Sequence, residues 1–372
     1  MGSRQTTSVT DGLTCGRYPP QVPPLPPSQS SPSRRPPSRP RWRALAALVI
    51  VLTVVGLRLA AFSVAADAHR SPSTSAATVS ETASTPLNAE EKTQAGNELT
   101  AGKAVVLGIV EGVTEFLPIS STGHLLVTER ILDIGQTSAT KQAADTYTVA
   151  IQIGAILAVL VLYFGRVRSM IEGAVGRDPG GRRALIGVLV AFVPAALVGV
   201  VGSQFIEKHL LAVGPVIAAW IIGAIVIFAF GDRFSASSPG SALDAVTIRQ
   251  AAIIGVAQCL ALWPGTSRSL VTILAALLVG MTLSAAVEFS FLLGLLTVSA
   301  ATAYGLLRHG SELLDAYGWI NPLIGVVIGF LSALIAVRWM VTYLQRHSLA
   351  IFGWYRLAAA ALTLGLLATS VI

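Results

Sequence analysis

"EGVTEFLPISSTGH", residues 111–124, sets two carboxylates, a run of three hydroxyls (Ser120, Ser121, Thr122) and a histidine inside a strongly apolar chain. An apolar helix pattern leads in from residue 100, and a second helix, "GHLLVTERIL", follows. Pro118 ends the first helix because it has no N–H for the helical ladder. Ser120, Ser121 and Thr122 are good N-cap residues for the second. Glu111 and Glu115 are four residues apart and share one helix face, while Gly108 and Gly112 thin the first helix for close packing. Ser121 and His124 are three apart, a spacing that allows a hydroxyl–imidazole hydrogen bond.

The same break occurs again downstream. Setting Gly108 on Gly255, an offset of 147, lays "GIVEGVTEFLPISS" over "GVAQCLALWPGTSR". Glu111 then falls on Gln258, Phe116 on Trp263 and Ser120 on Ser267. In the second break Pro264 and Gly265 end one helix, Thr266 and Ser267 cap the next, and Arg268 and Thr272 share its first face. A polar interruption at the same place in two halves points to a site between repeats near the bilayer midplane.

The rest of the chain sets this pair in context. Of its 372 residues 53% are apolar and 12% charged, against about 25% charged in soluble domains. The segments 146–165, 184–203, 212–231, 284–307, 322–344 and 350–372 are continuous and of helical length, so the class is all-α integral membrane protein rather than barrel. The net charge of +7 reads as topology information and not as a nucleic-acid footprint. Cys15 and Cys259 form no disulfide framework or metal-ligand spacing.

Residues 1–42 are a Pro- and Arg-rich tail, predicted to be disordered and cytoplasmic. Residues 43–66 form a transmembrane anchor or, alternatively, a signal peptide. Residues 67–98 read as a flexible extracytoplasmic linker, and the polytopic domain spans 99–372. If both broken segments re-enter and return, the loop at 165–183 with its five arginines lies inside. Two inverted repeats, two re-entrant helical hairpins and seven spans, the anchor included, result.

Glu111, Glu115 and Arg268 would cost on the order of 10 kcal/mol if exposed to lipid. They must face one another, a wet cavity or a charged ligand; a structural ion pair would leave the second carboxylate, His124 and the hydroxyls unexplained. Two helix N-termini and an arginine fork suit a phosphate or diphosphate. A divalent cation, Mg²⁺ or Ca²⁺, would reconcile the carboxylates with that anion.

"GIVEGVTEFLPISSTGHLLV", "QCLALWPGTSRSLVT" and "EFSFLL" at 288–293 closely resemble the undecaprenyl-diphosphate phosphatases of the bacitracin-resistance type. The resemblance covers about residues 99–372. It implies removal of the terminal phosphate from a C55 isoprenoid diphosphate, which regenerates the carrier for cell-wall synthesis and confers bacitracin resistance. It also implies a bacterial plasma-membrane enzyme whose site opens toward the extracytoplasmic side, with lipid as its surroundings and a homodimer as one open oligomeric state. On that resemblance Ser121, His124, Glu115 and Arg268 are catalytic. Ser120, Thr122, Ser267, Ser269 and Thr272 bind the substrate, and Glu111 and Glu115 hold the metal, or one of them orients His124. Ser121 is the favoured nucleophile, with His124 or water as alternatives. Leu270 departs from the small residue common there and is expected to narrow the approach to Arg268. Glu288 either lines the cavity or is a packing residue. The rival class is a transporter of the lipid phosphate, since inverted repeats with re-entrant hairpins are also a transporter architecture.

Overall fold

The computed structural model describes residue 96 and residues 98–135, 137–231, 238–369 and 372. The tail at 1–42, the anchor or signal peptide at 43–66 and nearly all of the linker at 67–98 lie outside the described residues. Among the described residues there are eleven α-helices and no strand, only one isolated bridge between Ser241 and Met281. In chain order they are α1 (Ala101–Thr114), α2 (Ser121–Ile131), α3 (Ser138–Leu162), α4 (Phe164–Ala174), α5 (Pro179–His209), α6 (Val213–Phe230), α7 (Ile248–Gln258), α8 (Arg268–Leu278), α9 (Leu283–Tyr317), α10 (Ile320–Leu344) and α11 (Ala350–Ala368). Six of them, α3, α5, α6, α9, α10 and α11, are long and apolar enough to cross a membrane. The protein is therefore a multi-pass, all-α membrane protein, as the apolar runs predict. Large apolar side chains such as Val201, Leu307 and Ile335 stand exposed on these helices, as a lipid-facing surface requires.

The two interrupted segments form helical hairpins. α1 and α2 are joined through Pro118, α7 and α8 through a 3₁₀ turn (Cys259–Leu262) and Pro264-Gly265. Each hairpin closes on itself at its base. The Glu98 carboxylate, just before α1, accepts from Gly135 N (3.1 Å) and Thr140 Oγ1 (3.1 Å), just after α2. Ser241 N, ahead of α7, donates to Gly280 O (2.9 Å), and Thr282 N returns a bond to Ser241 O (3.1 Å), both just after α8.

The internal repeat is visible in the packing. α1 lies along α10, and its equivalent α7 lies along α5. A Cβ on Gly108 would come within 2.6 Å of Gly325 O, and one on its equivalent Gly255 within 2.5 Å of Ala191 O. Both contacts bring backbone against backbone, which only glycine allows.

Local differences from the sequence expectation lie at helix ends. The arginine-rich loop folds into its own helix, α4, before α5 begins at Pro179. Asp178 caps α5, its carboxylate accepting from Gly181 N (3.0 Å), and Pro179 takes the first helical position, where a missing N–H is not needed. Ser169 Oγ also donates to Asp178 (2.5 Å), and these bonds hold its carboxyl below the usual range.

Candidate active site

The two hairpin tips meet. Ser120 and Ser267, the equivalent residues, adopt the same backbone conformation, φ 75° with ψ 105° and 111°. A left-handed φ is uncommon outside glycine and costs of order 1–3 kcal/mol. The repeat therefore extends to a strained residue at each tip. Ser267 caps α8 by accepting from Leu270 N (3.3 Å), as the sequence predicts. Ser120 makes no side-chain cap bond to α2. Ser269 Oγ crosses between the tips and donates to Leu117 O (2.7 Å), and Ser267 Oγ lies 3.0 Å from Ser269 Oγ.

Glu115 joins the chemistry of both tips. Its Oε2 accepts from Ser121 Oγ at 2.5 Å, and its Oε1 accepts from Arg268 Nη2 at 3.1 Å. The side chains of this ion pair are only 8% and 12% exposed, so water screens it little. Arg268 Nη1 donates to Ser290 O (3.2 Å), and its guanidinium carbon stands 5.2 Å from the Phe116 ring centroid. Thr272 Oγ1 donates to Arg268 O (2.8 Å) and lies 2.6 Å from Ser290 Oγ. Thr272 thus supports Arg268 through its backbone and through Ser290. Gly294 supplies the space for the guanidinium, since a Cβ there would overlap Arg268 Nη1.

The Ser121–His124 pair suggested by spacing is not formed. His124 Nδ1 donates to Ser120 O (2.6 Å), and Nε2 faces Tyr355 Oη at 3.0 Å. The carbonyl can only accept, so the neutral ring carries its proton on Nδ1 and Nε2 accepts from the tyrosine. The reason is local. In a helix the i−4 carbonyl lies within reach of an i side chain, and Ser120 O takes the imidazole while Glu115 takes the serine. Thr122 is exposed in the first turn of α2.

Glu111 is fully buried and neither of its carboxylate oxygens has a hydrogen-bond partner. It lies in the field of Glu115 and Arg268. Gln258, its repeat equivalent, is equally buried and equally unpartnered. Buried polar groups without partners are rare in folded proteins. A hard carboxylate donor with both oxygens free fits a Mg²⁺ or Ca²⁺ ion. Among the described residues no group of three His, Cys, Asp or Glu side chains could complete a metal cage.

Glu288 does not belong to this constellation. It pairs with Arg166 at 2.6 Å, and Arg166 also reaches Asp244 at 3.2 Å. Leu270 is 2% exposed and lines an apolar cavity with Val226, Trp263, Thr266 and Leu274. Sequence motifs missed Tyr355, Trp220 and Arg356, which come from helices with no break; Ser290 lies within the "EFSFLL" stretch at 288–293, but no role was expected of it. Arg356 carried a legible signal, a charge inside an apolar run, which by default marks a functional site in a membrane protein. Tyr355 and Trp220 carried none.

A profile of the family described as "Bacitracin resistance protein BacA" matches residues 104–362. An undecaprenyl-diphosphatase of Sorangium cellulosum is 43% identical over 71% of this chain and 85% of its own length. Undecaprenyl-diphosphatase 2 of Rhodospirillum rubrum is 41% identical over 69% of this chain and 91% of its own length. An undecaprenyl-diphosphatase of Acinetobacter baumannii is 38% identical over 70% of this chain and 94% of its own length. The matched span holds both hairpin tips and the Glu115 bridge between them, and the chain belongs to the bacitracin resistance protein BacA family.

Proposed function

We propose that the protein hydrolyses undecaprenyl diphosphate to undecaprenyl phosphate and inorganic phosphate in the bacterial plasma membrane, recycling the lipid carrier for cell-wall synthesis. The names of its relatives support the substrate. The observation that carries the mechanism is the Glu115 carboxylate, bonded at once to Ser121 and to Arg268.

In this reading the diphosphate takes the place of Glu115 on Arg268, whose planar fork suits phosphate oxygens. Glu115 keeps Ser121 and acts as its general base. Ser121 Oγ forms a bond to the terminal phosphorus as its proton passes to Glu115, and the bond from phosphorus to the bridging oxygen breaks. The lipid monophosphate leaves with the electron pair of that bond. Glu115 passes that proton to the departing lipid monophosphate; water then attacks the phosphoserine, giving one proton to Glu115, which hands it to Ser121 as inorganic phosphate departs. Phosphoryl transfer needs little covalent help beyond position and charge, and the tips supply both. His124, held by Ser120 and Tyr355, stands one turn along α2 from Ser121 and serves as a proton carrier. Glu111, with Glu115 beside it, would hold a divalent cation, which when bound neutralises charge on the phosphates. Ser267 and Ser269 fix the second tip, and Ser120 and Thr122 line the first.

The two hairpins are read as re-entrant, with the site open to the extracytoplasmic side. The closure of each hairpin at its own base and the five arginines within residues 166–183 support that orientation.

Phosphate release from farnesyl and undecaprenyl diphosphate by detergent-purified protein, with and without EDTA, tests the reading. Release that EDTA abolishes and that Ser121→Ala and Arg268→Ala lose is the expected result. Retained activity in Ser121→Ala would move the attack to water or His124. Lipid-phosphate binding without release from the wild type would overturn the enzyme in favour of a transporter.

A further inference from the structure

We propose that Arg356, in α11, is a positioning residue for this reaction. It binds the same backbone carbonyl of both hairpin tips and so sets the distance between Ser121 and Arg268. The inference rests on the phosphatase reading above.

The side chain is completely buried. Its guanidinium has five N–H donors, and five carbonyls receive them. Nη1 donates to Pro118 O and Thr266 O, each at 3.2 Å. Nη2 donates to Gly265 O and Ala219 O, each at 2.8 Å, and Nε donates to Trp220 O at 3.2 Å. Pro118 and Gly265 stand 147 residues apart, the offset of the internal repeat. One side chain therefore ties together the equivalent carbonyls of two inverted halves. The next pair follows the same logic. Thr266 O is held by Arg356, while its equivalent, Ile119 O, accepts from Trp220 Nε1 at 3.1 Å. The remaining two bonds seat the guanidinium on α6, where Gly223 leaves room for it; a Cβ at Gly223 would overlap the guanidinium.

Packing alone does not call for this arrangement. Pro118 lies three residues before Ser121, and Gly265 three before Arg268. Between them come Ser120 and Ser267 with their left-handed φ. Strained backbone persists only where its surroundings over-determine it, and at both tips the guanidinium is part of those surroundings. If it is lost, each tip can relax separately, and Ser121 and Arg268 fall out of register. A shift of about 1 Å in such a pair costs on the order of 10²-fold in rate.

The test uses the full chain in detergent, as wild type, Arg356→Lys and Gly223→Ala. Lysine keeps the charge but brings three donors to five carbonyls. Gly223→Ala removes no donor and crowds the guanidinium off its seat. Steady-state phosphate release from farnesyl diphosphate gives kcat and KM, and hydrogen exchange reports on the amides of 119–121 and 265–268. In each variant kcat should fall about 10²-fold with a far smaller rise in KM, and exchange should quicken at both tips together. A purely structural arginine would lower the folded yield and leave the kcat of the folded enzyme unchanged. That result, or exchange that quickens at one tip alone, would overturn the proposal. If Arg356→Lys fails to fold, Gly223→Ala decides. If the wild type itself releases no phosphate, the phosphatase reading fails, and the exchange arm still shows whether Arg356 couples the tips.

Discussion

Glu115 holds a serine on one oxygen and an arginine from the other hairpin on the second. An amide of the same size would keep that shape without the capacity to take a proton. Glu115→Gln should fold normally and lower kcat by about 10²–10⁴-fold, the range ascribed to general base catalysis. Rapid-quench phosphate release from purified enzyme measures this. Gly294 offers a second check at a residue outside the chemistry. A methyl group there would displace the Arg268 guanidinium, so Gly294→Ala should cut kcat on the order of 10²-fold while membrane yield stays near wild type. Normal turnover in that variant would show that Arg268 has other places to sit.

The helices bring these side chains together because of how they start, stop and pack. α1 can lie against α10 only because Gly108 and Gly112 carry no side chain; a Cβ on Gly112 would overlap Ser332 Oγ and Gly329 O. Overpacking of this kind costs about 1–3 kcal/mol. Gly112→Ala should lower the thermal midpoint accordingly and, because α1 carries Glu111 and Glu115, lower activity with it. α7 depends on its cap instead. Thr247 Oγ1 accepts from Gln250 N (3.2 Å), and Gln250 Oε1 accepts from Thr247 N (2.9 Å). Thr247→Ala should cost about 1 kcal/mol and speed amide exchange in the first turn of α7. An unchanged exchange pattern would mean that the cap contributes nothing beyond the contacts of Gln250 with Ser241 and Val279.

At the scale of the molecule, two half-length hairpins enter a bundle of six long helices. Re-entrance requires Thr137, after α2, to lie on the same side as Glu98, and Arg177, before α5, to lie on the opposite side. Single cysteines at Thr137 and Arg177 in a chain with both native cysteines replaced would test this. An impermeant maleimide added to intact cells should label Thr137→Cys and spare Arg177→Cys. The reverse pattern, or labelling of both, would sink the topology. The hydrogen bonds between Glu98 and the start of α3 make Thr137 a stringent choice, since they fix the two ends of the first hairpin at one level.

The sequence alone determined the class, and it marked the repeat and the two breaks whose tips the fold brings together. Apolar runs of helical length leave no other membrane architecture. Pro118 and Pro264 mark breaks that no helix ladder can bridge. Intramembrane Glu111, Glu115 and Arg268 need a reason to be there. These are properties of a segment and can be read segment by segment. Which partner each polar group takes could only be settled by the tertiary structure. Spacing placed Ser121 beside His124, yet a carboxylate six residues back reached the serine first, and a carbonyl four residues back took the imidazole. Glu288 pairs with Arg166, 122 residues away, a partner that neither of its two readings named. Arg356 went unread inside the apolar run at 350–372, and its five carbonyls come from three separate stretches of chain. Hydrogen bonds are short-ranged and directional, so partners distant in sequence are chosen by the fold that brings them within reach.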